Sequence, residues 1–217
     1  MSKEIQHSSY IITEGIPFIV FFLVISILAF LTGLNVPSIF FLFVTLFVTW
    51  FFRNPERISP AKETLIVSPA DGRVIKIEEA QSEEVPGQTL RKISIFMTLF
   101  NVHVNRSVCS GQVHAIHYRK GKFFSANLDK ASEFNERNTI VIEMPDGRRI
   151  VTIQIAGLVA RRIVWWIKEG DVAQKGERFG MIRFGSRLEV FMPLNSAVLV
   201  KLGDKVRAGE TAIGELV

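Results

Sequence analysis

Cysteine is nearly absent from this chain of 217 residues: Cys109 stands alone. That excludes an internal disulfide and any cysteine-rich metal site, fits a reducing compartment, and leaves stability to packing. No Gly-x-Ser-x-Gly elbow is present, so nothing marks a serine hydrolase of the strand-turn-helix kind. Length excludes two full-sized domains with a linker and allows one domain plus an accessory segment. Charge is missing altogether from Ile16 to Leu34 and from Val36 to Phe52. What charge there is sums to +5, which suits an anionic lipid surface without requiring nucleic acid; solubility alone is the other reading.

The two uncharged runs are rich in Ile, Val, Leu and Phe, and each approaches the ~20 residues that span a bilayer core as a helix. Gly33, Asn35 and Pro37 between them are turn chemistry. A transmembrane helical hairpin over 16–52 is therefore expected, after a cytoplasmic segment 1–15. A re-entrant hairpin is the alternative. Lys3 before it and Arg53 and Arg57 after it place both ends, and the domain 53–217, on the cytoplasmic side of the cell membrane. Glu4, Glu14 and the second apolar run argue against a cleaved signal peptide.

Beyond Pro55 short β-branched runs alternate with Gly, Pro and Asp, as at Val74–Ile77, Ile93–Phe100, Thr139–Met144 and Ile150–Ile155. Turns are expected at Pro69–Gly72 and at Pro145-Asp146-Gly147, the latter as a hairpin. The polar stretch Lys120–Asn138 reads as a helix or an active-site loop. Gly170-Asp171, four residues, Gly176-Glu177 recurs as Gly203-Asp204, four residues, Gly209-Glu210. Such repeats resemble those of biotinyl and lipoyl carrier domains. The expected fold is a β-rich domain resembling that flattened barrel, with additional strands and short helices.

Gly185-Ser186 alone would mark only a turn. Its context, Arg178-Phe179-Gly180-Met181-Ile182-Arg183-Phe184-Gly185-Ser186-Arg187-Leu188-Glu189-Val190, resembles the processing site of short-type phosphatidylserine decarboxylases and their archaetidylserine counterparts. Ser68-Pro69-Ala70-Asp71-Gly72, Phe100-Asn101-Val102-His103-Val104-Asn105-Arg106, Gly121-Lys122-Phe123, Asp129-Lys130-Ala131, Asn135-Glu136-Arg137-Asn138 and Ala160-Arg161-Arg162 are similar to family segments, in the family's order. The likeness covers nearly all of the soluble part.

The resemblance implies autocatalytic cleavage between Gly185 and Ser186, giving a large β chain 1–185 and a small α chain 186–217 that begins with a pyruvoyl group made from Ser186. It implies decarboxylation of a serine phospholipid, phosphatidylserine or archaetidylserine, with no metal. Gly185 lacks a Cβ and so tolerates the strained backbone that brings the Ser186 hydroxyl onto the preceding carbonyl. That hydroxyl needs a base. His103 is the candidate base and acid, because strand alternation puts Asn101, His103 and Asn105 on one face; a structural histidine is the bland alternative. Asp71 would complete an Asp-His-Ser relay, although aspartate before glycine is also an ordinary turn residue.

Longer relatives carry His-x-x-His where this chain has His103-Val104-Asn105-Arg106, so His103 serves both proton-transfer tasks or another group such as His117 helps. His114 and His117 fall on opposite faces of a strand, which argues against a metal pair. Arg161 and Arg162 are candidates for the lipid phosphate, with surface solvation as the alternative. Trp165 and Trp166 suit a membrane interface, but alternation assigns at least one to the core. A homodimer is compatible with the resemblance. The competing function is a membrane-anchored lipoyl- or biotinyl-like carrier, which Asp129-Lys130-Ala131 imitates; Lys130, however, lies outside any regular hairpin.

Overall fold

The computed structural model describes residues 9–126, 131, 134–158, 162–183 and 185–217. Two compact units divide the chain, one ending at Glu56 and the other running from Arg57 to Val217.

In the first unit a helical run at Thr13–Leu31, 19 residues with mean hydropathy 2.5, is long and apolar enough to cross a membrane. Its α-helical part is α1 (Ile16–Leu31), with Pro17 in the first turn, where a missing N–H leaves no bond unmade. A turn at 32–34 leads into the shorter apolar helix α2 (Asn35–Phe51). The helices touch through Ser26 Oγ, which donates to the Ser38 carbonyl at 2.8 Å, and through stacking of Phe22 on Phe41. Their buried positions are mostly small or polar, Ser26, Ala29, Ser38 and Thr45, while Phe21, Leu28, Phe30, Phe40, Phe43 and Leu46 are more than half exposed. This is the reverse of a water-soluble helix pair, in which the large apolar groups turn inward.

The second unit is built from strands, β1 (Leu65–Val67), β2 (Gly72–Ser82), β3 (Val85–Met97), β4 (Val104–Arg106), β5 (Gly111–Arg119), β6 (Arg137–Glu143) and β7 (Arg149–Ile155). They are followed by β8 (Ile163–Trp165), β9 (Val172–Ala173), β10 (Arg178–Ile182), β11 (Ser186–Pro193), β12 (Ala197–Val198), β13 (Lys205–Val206) and β14 (Ala212–Glu215). An eight-stranded antiparallel sheet runs β13-β2-β3-β11-β7-β6-β5-β9, with three-stranded sheets β1-β14-β12 and β4-β10-β8 beside it. The expected hairpin at Pro145-Asp146-Gly147 joins β6 to β7.

Period-two alternation sorts the large sheet into two faces. One carries Ile93, Ile95 and Met97 of β3, Leu188, Val190 and Met192 of β11, and Ile140 and Ile142 of β6, and packs with Ile66, Ile163, Phe179 and Ile213 of the smaller sheets into the main core. The other carries Leu90, Val141, Val151 and Phe191 in a second cluster.

The repeat seen in the sequence is a repeat of structure. Gly170 N–H donates to the Val113 carbonyl and Val113 N–H to that of Asp171, both at 2.8 Å; Gly203 and Val74, then Val74 and Asp204, match them at 2.8 and 2.9 Å. Each aspartate carboxylate accepts a backbone N–H three residues before it, from Lys168 and from Lys201, at 2.8 Å. The short strands these loops feed, β9 and β13, are the two edges of the large sheet. The likeness extends to Ser68–Gly72 and Ser107–Gly111, whose first hydroxyls donate to the Ala70 and Cys109 carbonyls at 2.7 Å.

The unit is thus β-rich, with a curled antiparallel sheet, as expected. A carrier-type flattened barrel is a narrower description than these three sheets support. One strand is shorter than its apolar run implied: β3 stops at Met97, because Asn101 closes a turn over 98–101. Its side-chain oxygen accepts from Thr98 N–H and Oγ1, each at 2.8 Å.

Candidate active site

Ser186 opens β11, a strand hydrogen-bonded to β3 on one side and β7 on the other, and lies opposite Met97. Burial is complete, and the Ser186 hydroxyl donates to the Met97 sulfur at 3.3 Å. The chain reaches Ser186 through Gly185 at φ +63°, a left-handed conformation that a side chain resists and glycine adopts freely.

The carbonyl of Gly185 is pressed against Gly157. A Cβ at Gly157 would stand 1.9 Å from that oxygen, far inside van der Waals contact, so only glycine at 157 lets the carbonyl lie there. Gly157 follows β7 and the buried Ala156, whose carbonyl accepts from Asn135 Nδ2 at 2.7 Å. Asn135 also bonds both backbone groups of Phe124. The part of Lys120–Asn138 that the structure describes is thereby tied to the strand beside Gly185-Ser186.

A row of buried amides reaches the same point. Asn138 Nδ2 donates to Gln154 Oε1 at 3.0 Å, Gln154 Nε2 to Asn105 Oδ1 at 2.8 Å, and Asn105 Nδ2 to the Met97 sulfur at 3.8 Å. All three amides are fully buried. Each buried amide left unbonded costs about 1–3 kcal/mol, so the row fixes the side chains around Met97 and Ser186 in one arrangement. Gln154 stands in no motif of the sequence, and Asn138 only in the family-like segment Asn135-Glu136-Arg137-Asn138. Their signal was there: an amide on the inward face of an otherwise apolar strand.

His103 is fully buried, one residue ahead of β4. β4 pairs with β10, which leads directly to the Gly185-Ser186 segment. Alternation assigned His103 and Asn105 to a polar face, but Val102 and Val104 are buried as well. Both sides of this stretch are enclosed, so the face argument does not distinguish a site from a core.

Asp71 lies next to β4, since Arg106 N–H donates to the Pro69 carbonyl at 2.9 Å. Its carboxylate accepts from Arg57 at 3.1 Å and from the Ala208 N–H at 2.9 Å. In the other half of the repeat Ser110 holds the equivalent Lys175 N–H at 3.2 Å, so part of what Asp71 does belongs to the scaffold. Arg57, which also meets Glu210 at 2.8 Å, was read in the sequence only as a membrane-flanking charge.

Arg161 lies outside the described residues, as do Phe184, Ala160, Asp129 and Lys130. Arg162 is exposed and its carbonyl accepts from Arg183 N–H at 3.4 Å. It borders a cavity of about 540 Å³ lined also by Tyr118, Glu136, Ile163, Val164 and Trp165. Burial, together with the charge of and hydrogen bond to Glu136, pushes the Tyr118 phenol above its ordinary range. Trp165 stacks on Tyr118 and packs against the main core. His117 and His114, both exposed, meet Glu84 at 2.8 Å and Glu143 at 3.6 Å respectively.

Around the buried Ser186 stand the left-handed Gly185, Gly157 against the carbonyl of that glycine, and the buried His103 one residue ahead of β4. The chain belongs to the phosphatidylserine decarboxylase family, a family of decarboxylases whose profile matches residues 44–214. It is 57% identical over 210 residues to a phosphatidylserine decarboxylase proenzyme of Syntrophus aciditrophicus, covering 96% of this chain and 99% of that one. Proenzymes with the same name from Ruegeria pomeroyi and Geobacter metallireducens are 50% and 46% identical, over 94% and 95% of this chain and 94% and 96% of theirs.

Proposed function

We propose that this chain cleaves itself at Gly185-Ser186, converts Ser186 to a pyruvoyl group, and then decarboxylates phosphatidylserine to phosphatidylethanolamine. The observation that carries the reading is the Gly185 carbonyl seated in the space that a Cβ at Gly157 would fill. A reacting carbonyl held in place needs no search for geometry when the hydroxyl beside it turns towards it.

The cleavage balances as follows. Ser186 Oγ leaves the Met97 sulfur, gives up its proton to a base, and attacks the Gly185 carbonyl carbon, expelling the Ser186 nitrogen and leaving an ester. A base then takes the Ser186 Cα proton, and the Cβ–Oγ bond breaks to release the Gly185 carboxylate. Water adds to the dehydroalanine that remains and ammonia departs, which leaves the pyruvoyl group. His103 is the base, one enclosed imidazole serving more than one transfer, and Asp71 positions it.

The residues around Ser186 fit such a group: its strand is central, its approach is glycine, and the row Asn138-Gln154-Asn105 ends beside it. When formed, the group supplies a ketone that condenses with the serine amine and takes up the electron pair freed as CO2 leaves. Arg162, and Arg161 beside it in sequence, bind the phosphate of the lipid. The inverted surface of α1 and α2 supports a hairpin within the bilayer, and the flanking Lys3, Arg53 and Arg57 support a cytoplasmic domain.

Intact mass of the purified protein under denaturing conditions tests this. Two chains are expected, ending at 185 and beginning at a blocked residue 186. Active protein of undivided mass would sink the pyruvoyl mechanism, and a Ser186→Ala variant that still divides would move the cleaved bond elsewhere.

A further inference from the structure

Large apolar side chains stand in water on three segments that meet around Gly185-Ser186. Phe100 is 69% exposed and Leu99 37%, at the tip of the turn over 98–101. That turn leaves β3 at Met97, the partner of Ser186, and returns to His103. Leu158, 62% exposed, follows the Gly157 cradle. Phe134, 48% exposed, precedes Asn135, which is bonded to the Ala156 carbonyl.

None of these tips is a loose end. Asn101 clamps the first turn through two side-chain bonds, Phe134 packs edge-on against Phe124, and Leu158 is two residues from the anchored Ala156. Exposed basic residues lie alongside: Lys122, whose N–H donates to the Phe134 carbonyl at 2.7 Å, and Arg162, bonded to Arg183 just before the cleavage segment.

We infer that this rim is a docking surface for an anionic lipid bilayer, with Leu99, Phe100, Phe134 and Leu158 entering the headgroup layer and Lys122 and Arg162 meeting lipid phosphates. The inference rests on the reading of the substrate as a phospholipid. A buried reacting group can reach a headgroup only if the lipid rises out of its leaflet or the mouth of the site sinks into it. Rigid apolar tips ringed by cations favour the second, because lipid tails replace the water that those side chains otherwise order, and anionic headgroups satisfy the charges. A second copy of the chain would explain the apolar tips but not the basic residues beside them.

The full chain can report this directly, since burial pushes the Cys109 thiol up to about 12 and leaves it closed to maleimides. A Leu158→Cys variant is labelled with a polarity-sensitive maleimide dye and reconstituted into bilayers of phosphatidylcholine and phosphatidylglycerol. The dye is expected to be quenched by brominated acyl chains and shielded from aqueous iodide. A dye open to iodide overturns the proposal. So does a dye shielded from iodide yet untouched by bromolipid, which would place a second copy of the chain on the rim.

In the second arm, Phe100→Asp with Leu158→Asp should leave self-cleavage and turnover of a dispersed short-chain serine phospholipid unchanged. Turnover of the same headgroup in bilayers is expected to fall by at least about tenfold, the loss of one large apolar contact at an interface. Equal turnover of both substrates relative to the parent overturns docking. Failure of the parent to divide or to act on either substrate would instead count against the pyruvoyl reading, and the dye measurement would stand apart from it.

Discussion

Gly157 is the residue whose importance the sequence hides most completely. Nothing in a glycine after a strand marks it, yet an added methyl would meet the Gly185 oxygen at 1.9 Å. Relieving that clash requires a shift of about an ångström at the Gly185 carbonyl, a displacement that, if this carbonyl reacts as proposed, costs about a hundredfold in rate. A Gly157→Ala variant is therefore expected to divide at least about a hundredfold more slowly, followed as the rate of appearance of the small chain, while circular dichroism reports a folded domain. Unchanged division would remove the cradle from the mechanism. Asp71 poses the opposite case, a residue that the sequence marks and the structure shares between two tasks. Asp71→Asn breaks its ion pair with Arg57, both side chains being little exposed, but Arg57 keeps Glu210, so the cost is that of a charged hydrogen bond, about 1.5–3 kcal/mol. A lower Tm is expected whatever the chemistry. If Asp71 also positions His103, division slows by about a hundredfold or more at temperatures where the variant is folded. Division at the parental rate in a destabilised protein would leave Asp71 a purely structural residue.

At the scale of elements, the bond proposed to be cleaved lies immediately ahead of β11, and β11 is an interior strand of the large sheet. Residues 186–217 also supply β12, β13 and β14, which pair with one another, with β1 and with β2. Cleavage there would cut a connection without removing any ladder, and the two resulting chains should stay together. A single peak in size-exclusion chromatography that resolves into two only in denaturant is expected. Separation under native conditions would mean that β11 is not held as described. The elements themselves were largely legible. Alternation and turn chemistry marked β6, β7 and their hairpin, and the recurring Gly-Asp and Gly-Glu pairs marked loops that turned out to be hydrogen-bonded alike. The end of β3 was not legible, because Leu99 and Phe100 continue its apolar run. The Asn101 side chain, immediately after Phe100, is what stops the strand.

For the whole molecule, the exposed phenylalanines and leucines of α1 and α2 and the charges that flank them lead to one expectation. In cells the domain 53–217 should resist protease added to spheroplasts and be digested in inverted vesicles. Digestion of the domain in intact spheroplasts would reverse the assigned orientation. The length of Thr13–Leu31 suits a span, while α2, at 17 residues, covers about 26 Å at 1.5 Å per residue, slightly less than a core of about 30 Å. Tilt or local thinning can absorb that difference at small cost.

By itself the sequence determined what depends on neighbours along the chain. Apolar length and missing charge marked the apolar helices, alternation marked most of the strands, and the order of short motifs around Gly185-Ser186 marked the family. Tertiary structure decided what depends on residues far apart. It brought Gly157 beneath a carbonyl 28 positions later in the numbering, and joined Asn138, Gln154 and Asn105 into one buried row. It also gave Asp71 to Arg57 and Ala208. Each of these is a close contact between segments far apart in the chain, fixed by packing and burial, and cannot be read from local composition.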